Sequence, residues 1–256
     1  MHISGAVKSF LKPEEKTQKC TCAKRQATSR KRQAVKNNCT KLGHVLKIDS
    51  TERYNMKTSE ALKLVGGLAK PSKMPGWAYG LPAAECKTGG ILKHVTGSTC
   101  EGCYADKGCY VFAVVQAAQY RRLKSINHPQ WVNAMAALIN SKKSKYFRWH
   151  DSGDVQDEAY LMKIFEVARL TPETSHWLPT REAWTQKYLD QVPSNLTLRF
   201  SMPMVDQEAA GSWLNTSTVV TTAGRRTCPA PDQGNECKDC RACWDPSVKN
   251  VAYGKH

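Results

Sequence analysis

Lys145-Tyr146-Phe147-Arg148-Trp149, then His150-Asp151-Ser152-Gly153-Asp154, then the run from Glu158 to Leu170, decide how this chain is read. The first five residues are bulky and β-prone, so a strand is expected over 145–149. Gly153 permits a tight turn. Leu161, Ile164, Phe165 and Ala168 recur at the spacing of one helical face, so the strand is expected to hand over to an amphipathic helix through an acidic turn. Working outward, residues 111–124 predict a helix with Val111, Val114, Val115, Ala118 and Leu123 on a broad apolar face. After Pro129 the periodicity resumes over 131–140 through Val132, Met135, Ala136 and Ile139. Residues 175–178, 195–201 and 216–222 read as short strands, with a helix at 186–191. Residues 70–82, rich in Pro and Gly, read as a loop with Trp77 and Tyr79 exposed or half-buried.

Strand and helix in alternation is the pattern of right-handed parallel crossovers. The expected fold class is α/β: a parallel (β/α) barrel or partial barrel, with active residues at the C-terminal ends of strands. A doubly wound open sheet is the alternative, and it would put the same residues on the same rim. Three regions are expected: a basic N-terminal extension over 1–69, a barrel-like catalytic domain over 70–224, and a Cys-rich metal-binding segment over 225–256.

The chain of 256 residues carries a net charge of +16 with a pI near 9.4, which points towards a polyanion. Nucleic acid is the expected partner, DNA ahead of RNA; charge that serves only solubility is the plainer alternative. Basic residues concentrate over 8–47, where Lys24, Arg25, Arg30, Lys31, Arg32, Lys36 and Lys41 face only Glu14 and Glu15. No apolar run approaches the roughly 20 residues that span a bilayer, so no membrane partner is expected. The 11 cysteines are odd in number and clustered, and residues 1–10 lack the apolar core of a signal peptide. That combination predicts a reducing cytoplasm. Cys20, Cys22 and Cys39, with His44, are irregularly spaced and read as free thiols.

Two other cysteine sets carry chemistry. In Cys228, Cys237, Cys240 and Cys243, consecutive two-residue gaps bring three sulfurs to one centre with a fourth reaching in. Four thiolates close the shell of a structural zinc, and an iron-sulfur cluster fits the same spacing. Arg225, Arg226 and Arg241 are expected to offset thiolate charge or contact phosphate. Cys86, Cys100, Cys103 and Cys109 form a second candidate metal site, with Gly102 relieving crowding between Cys100 and Cys103. Asp151 and Asp154 are the candidate acid, base or nucleophile, since two carboxylates brought together raise one pKa and leave the other ionised. His150 is expected to orient them; the structural alternative has Asp154 capping the next helix. Trp77, Tyr79, Tyr104, Trp149 and Trp184 are candidates for stacking an extruded base.

From Gly76-Trp77-Ala78-Tyr79-Gly80-Leu81-Pro82, through Cys100-Glu101-Gly102-Cys103-Tyr104-Ala105 and His150-Asp151-Ser152-Gly153-Asp154, to the last cysteines, residues 70–245 resemble a family of phage accessory proteins named for a mycobacteriophage gene product. That likeness implies a phage or mobile-element origin. Asp151-Ser152-Gly153-Asp154-Val155-Gln156 also resembles the Asp-Ser-Gly-Gly-Phe-Gln signature of guanine transglycosylases, barrel enzymes that exchange guanine in tRNA or phage DNA for a 7-deazaguanine base. It implies aspartate chemistry at Asp151 or Asp154, substrate contacts at Ser152, Gly153, Gln156, Trp77 and Tyr104, and a C-terminal zinc. Asp154 departs from that signature, and Ser175 stands where the nucleophilic Asp before Pro179-Thr180-Arg181 would be. Cys86, Cys100 and Cys103 followed by Ser152-Gly153-Asp154 are similar to radical S-adenosylmethionine enzymes, which implies a 4Fe-4S cluster with S-adenosylmethionine. Base exchange is the leading expectation, radical chemistry the second, and a non-catalytic zinc-stabilised DNA-binding protein the third.

Overall fold

The computed structural model describes residues 56–255, so the basic stretch 8–47 and the Cys20, Cys22, Cys39 and His44 set lie outside the described residues. Helix α1 (Thr58–Val65) ends at Gly66, and its Ala61 and Val65 are fully buried. Strand β1 (Trp77–Tyr79) lies where Pro and Gly predicted a loop. Three residues are too few to show an alternating pattern, and partners from elsewhere in the chain stabilise it. Tyr79 is fully buried rather than exposed or half-buried; its hydroxyl donates to the Val65 carbonyl (2.8 Å) and accepts from Trp131 Nε1 (3.2 Å). Helix α2 (Lys87–Leu92) and the 3-10 turns Tyr104–Asp106 and Gly108–Val111 lead to α3 (Ala113–Ser125) and α4 (Trp131–Ser141).

Strand β2 (Tyr146–Trp149) and helix α5 (Glu158–Leu170) follow the opening pattern. Asp157 caps α5 by accepting from the Tyr160 amide (2.8 Å). The face that α5 buries holds Leu161, Ile164, Phe165 and Ala168. Beyond it come β3 (Ser175–Thr180), a 3-10 run (Ala183–Gln191), β4 (Leu196–Val205), β5 (Thr216–Val220) and β6 (Asn250–Gly254).

All five strand pairings are parallel, and spatial order follows chain order from β1 to β6. A doubly wound sheet reverses direction at a switch point; this one does not, which overturns that alternative. Strands β1 and β6 are edges, so the sheet is open rather than a closed barrel. One face packs on α1, α4 and α5 through Phe147, Trp149, Leu178 and Leu198. Against the other lies Trp244, which stands 5.3 Å from the Trp177 ring and donates to the Phe147 carbonyl (2.9 Å).

Helix α3 differs from expectation. Val111 belongs to the preceding 3-10 turn, Val114 is 73% exposed, and the residues that α3 buries are Gln119 and Arg122. Polar partners decide the matter. Arg122 Nε donates to the Gly67 carbonyl (3.0 Å) and Nη1 to that of Gly80 (3.3 Å), while Gln119 Nε2 donates to Ser152 Oγ (2.7 Å). Unmade buried hydrogen bonds would cost more than the apolar stripe gains.

Candidate functional site

Parallel strands end on the same edge, and here their carboxyl ends are tied to one another. Leu81 N donates to the Ser152 carbonyl and Ser152 Oγ to that of Leu81, both at 2.8 Å, joining the ends of β1 and β2. The turn after β2 approaches so closely that a Cβ on Gly153 (φ 78°) would sit 2.6 Å from Leu81 Cβ. Asp154 Oδ2 accepts from the Arg181 amide (2.8 Å), joining β2 to β3. Arg181 Nη1 then donates to the Ser201 and Met202 carbonyls (3.1 and 2.8 Å), joining β3 to β4.

The cysteine loop is fastened over this rim at both ends. Thr88 N and Oγ1 donate to the buried Glu182 carboxylate (3.0 and 2.9 Å), which also accepts from Trp184 Nε1 (3.0 Å). Thr99 N donates to the Pro203 carbonyl and Val205 N to that of Gly97 (2.8 and 2.9 Å), pairing the loop with the end of β4. Cys86 and Cys100 therefore face each other. The Sγ of each lies 3.7 Å from the point where a Gly89 Cβ would stand, so the missing side chain leaves space between the two sulfurs.

Burial pushes the Cys86 thiol up to about 12, and the neighbouring charges of Asp154, Cys103, Cys100 and Glu182 push the same way. Burial also raises Cys100, against the charge and hydrogen bond of Arg181. The thiolate forms here call for positive charge. Arg181 supplies one, in no ion pair with a carboxylate among the described residues. Cys109 is exposed and is not among the charges acting on Cys86 or Cys100. Three of the four expected cysteines thus share one neighbourhood. Among the described residues, no three His, Cys, Asp or Glu side chains are drawn in as a metal shell.

Asp151 and Asp154 have different surroundings. Asp154 is buried, accepts from the amides of Val155 (2.7 Å) and Arg181, and is raised to about 6 by burial against those hydrogen bonds; the like charge beside it is Glu182. Asp151 sits instead with Arg148, Tyr104 and Tyr110, and the two phenols donate to its backbone carbonyl (2.6 and 3.4 Å). Its Oδ1 is buried with no hydrogen-bond partner. A Cβ on Gly80 would stand 2.1 Å from that oxygen.

His150 faces away from both. Its left-handed backbone (φ 52°) breaks the strand's alternation, so Nε2 lies 3.2 Å from the Tyr160 hydroxyl on α5. Burial, with Arg148 adding to it, drives its pKa down to about 3, so the ring is neutral. Gln156 Nε2 donates to the Asp154 carbonyl (2.9 Å). Of the candidate stacking aromatics, Tyr79 and Trp149 are fully buried in the helix-side core. Trp184 is part-buried against that core, Trp77 lies beneath Lys142 and Lys70 (4.5 and 5.4 Å), and Tyr104 is 50% exposed.

Cys228, Cys237, Cys240 and Cys243 line one cavity of about 20 Å³ with Trp244 and Val251. Arg225 pairs with Glu208, Arg226 pairs with Asp232 (2.8 Å), and Arg241 lies over the Tyr146 ring (5.1 Å). Two residues the sequence reading passed over matter at the rim: Glu182 and Gly89. A Thr-Arg-Glu run at the end of a predicted strand was signal enough for Glu182. Nothing local marks Gly89, whose role depends on a loop folding over it.

A family model described as Gene product 88 matches residues 50–246. The chain belongs to the Gene product 88 family. Both cysteine sets and the acidic turn after β2 fall inside the Gene product 88 match, and the resemblance to a phage gene-product family is borne out over a slightly longer stretch than the 70–245 it was read from. No curated protein and no solved structure matches the chain.

Proposed function

We propose that this Gene product 88 protein is a nucleic-acid-modifying enzyme in which Cys86, Cys100 and Cys103 hold a 4Fe-4S cluster that binds S-adenosylmethionine. The observation that carries the reading is the meeting of those three cysteines with Arg181 and Asp154 on the carboxyl rim. Three thiolates leave one coordination position open, which separates a reactive centre from a closed structural one. The absent side chain of Gly89 keeps the approach between the Cys86 and Cys100 sulfurs clear. The cysteines follow β1 and Ser152-Gly153-Asp154 follows β2, the order that the radical S-adenosylmethionine resemblance implies.

When bound, such a cluster supplies one-electron reduction of the sulfonium and so a carbon radical. The chain's own residues position and screen. Arg181 offsets thiolate charge, Glu182 holds α2 in place through Thr88, and Asp154 clamps β2 to β3. We infer further that the six strands curve as a partial barrel with the helices outside. The net charge of +16 supports a nucleic-acid substrate, DNA first.

Guanine exchange for a 7-deazaguanine is the second reading, and Asp151 Oδ1, a buried carboxylate oxygen with no hydrogen-bond partner, favours it. It would run on Asp151 alone, with Asp154 structural. Mass spectrometry of nucleosides from DNA made with the wild type, Asp151→Asn, and a Cys86→Ala/Cys100→Ala variant tests both. Loss of a modified nucleoside with the cysteine variant supports the first reading; its persistence there with loss in Asp151→Asn supports the second. An unchanged profile with the wild type refutes both and leaves a zinc-stabilised DNA-binding protein.

A further inference from the structure

The connection from β5 to β6, residues 221–249, holds no α-helix. It carries three 3-10 turns, Ala223–Arg225, Ala230–Gln233 and Ala242–Trp244, and Trp244 is the one large side chain it buries. A connection of that length with so little core needs another source of order. It contains all four cysteines of the second set, which line one small cavity.

Beneath it is a buried charge on which the Asp245 carboxylate acts from beyond ion-pair distance. Arg199, on β4, is fully buried. Its guanidinium donates to the carbonyls of Thr216 (2.9 Å), Val248 (3.0 Å), Lys249 (3.4 Å), Ala242 (3.0 Å) and Asp245 (3.2 Å). These acceptors are neutral, and no carboxylate lies within ion-pair distance among the described residues. The Nε of Arg199, the Nε of Arg148 and the Nε1 of Trp177 are buried donors with no acceptor. Arg148 and Trp177 are paired in register on β2 and β3, and the Arg148 guanidinium lies 4.5 Å from the Trp177 ring. Arg199 and Arg148 both stand close enough to act on Cys243, whose Sγ lies 3.1 Å from the Tyr253 hydroxyl. A buried cation with no anion in direct contact is destabilising, so this face favours added negative charge.

We propose that Cys228, Cys237, Cys240 and Cys243 hold a single divalent metal, zinc by its preference for thiolate, and that buried Arg199 is the counterion of this centre. Four thiolates around a dication carry a net charge of −2, which Arg199 offsets in part, with Arg148 shared between this centre and Asp151. Size selects an ion over a cluster, because about 20 Å³ is little more than the roughly 10–15 Å³ that one water-sized sphere occupies. The cysteines come from both ends of the connection, so the metal would fasten it to the sheet. The centre does not depend on the reaction at the rim.

Metal analysis of the full chain, purified from zinc-supplemented medium, should give one zinc per chain that survives in Cys86→Ser and falls to background in Cys237→Ser/Cys240→Ser. Cobalt-substituted protein should show tetrahedral d–d bands with thiolate-to-metal charge transfer. Arg199→Gln should weaken zinc retention against a competing chelator by about 10- to 100-fold, the usual scale for an outer partner, and Arg199→Lys should recover most of it. Should Arg199→Gln fail to fold, the comparison of Arg199→Lys with wild type carries the counterion clause. Equal retention in Arg199→Gln, or weaker retention in Arg199→Lys than in Arg199→Gln, overturns that clause. Zinc-free wild type with all four thiols open to a thiol reagent, or zinc unchanged in Cys237→Ser/Cys240→Ser, overturns the centre itself.

Discussion

Asp154 is clamped by two backbone amides and still has its pKa raised, because burial outweighs the hydrogen bonds. Its folded value near 6 lies above the 3.8 of an unperturbed aspartate, so the folded protein takes up the proton first as pH falls. The stability it contributes is full below about 3.8 and lost as pH rises through about 6, roughly 3 kcal/mol in all. Urea unfolding should therefore show the wild type gaining on Asp154→Asn between about pH 7 and about pH 5; a constant difference would contradict this. Gly89→Ala separates packing from chemistry at the rim. Alanine favours a helix by roughly 0.5–1 kcal/mol over glycine, yet its Cβ would fill the space between the sulfurs of Cys86 and Cys100. The Cβ would also press on Cys86 Cβ at 3.2 Å, so the expected outcome is a small change in thermal stability with reduced iron content, and full iron content would count against the proposed centre. Asp151→Asn should keep its iron and its nucleoside profile; iron retained with base modification lost would favour guanine exchange.

At the scale of elements, the strand, acidic turn and helix around residue 150 were legible because every cue is local: β-prone residues, a turn glycine and a periodic apolar face; the cap was misplaced, since Asp157 and not Asp154 holds the helix start. Helix α3 was legible as a helix but not in its orientation. The face it buries is set by carbonyls at Gly67 and Gly80 that lie far away in the chain. Val114→Lys is expected to change unfolding free energy by less than about 0.5 kcal/mol, as for an exposed site; a loss of several kcal/mol would restore the apolar-stripe reading. Strands β1 and β6 went unread because each is short and sits at an edge, defined by pairing rather than composition. The different surroundings of Asp151 and Asp154 were not legible for a related reason: the left-handed residue at 150 interrupts the strand's alternation just before them, and no sequence pattern records φ. With the four-thiol centre stripped by chelator, limited proteolysis should cut within 221–249 sooner than in α4 or α5, and an unchanged pattern would argue that the connection orders itself.

Over the whole molecule, sequential parallel order gathers the ends of β1 to β4 at one rim, and the cysteine loop closes over them. The basic charge is concentrated over residues 8–47, and affinity for DNA should fall by orders of magnitude between about 50 and about 200 mM salt if several phosphates are contacted; a flat response in fluorescence anisotropy would remove nucleic acid as the polyanion. Among the described residues no helix is long and apolar enough to cross a membrane. The iron–sulfur reading of the rim rests on Cys86, Cys100 and Cys103 acting together with an open position. Electron paramagnetic resonance of anaerobically reconstituted, reduced full-length protein tests it most directly. A 4Fe-4S signal that shifts on adding S-adenosylmethionine and vanishes in Cys86→Ala/Cys100→Ala/Cys103→Ala is the predicted result; a silent spectrum, or one untouched by those three substitutions, would contradict it.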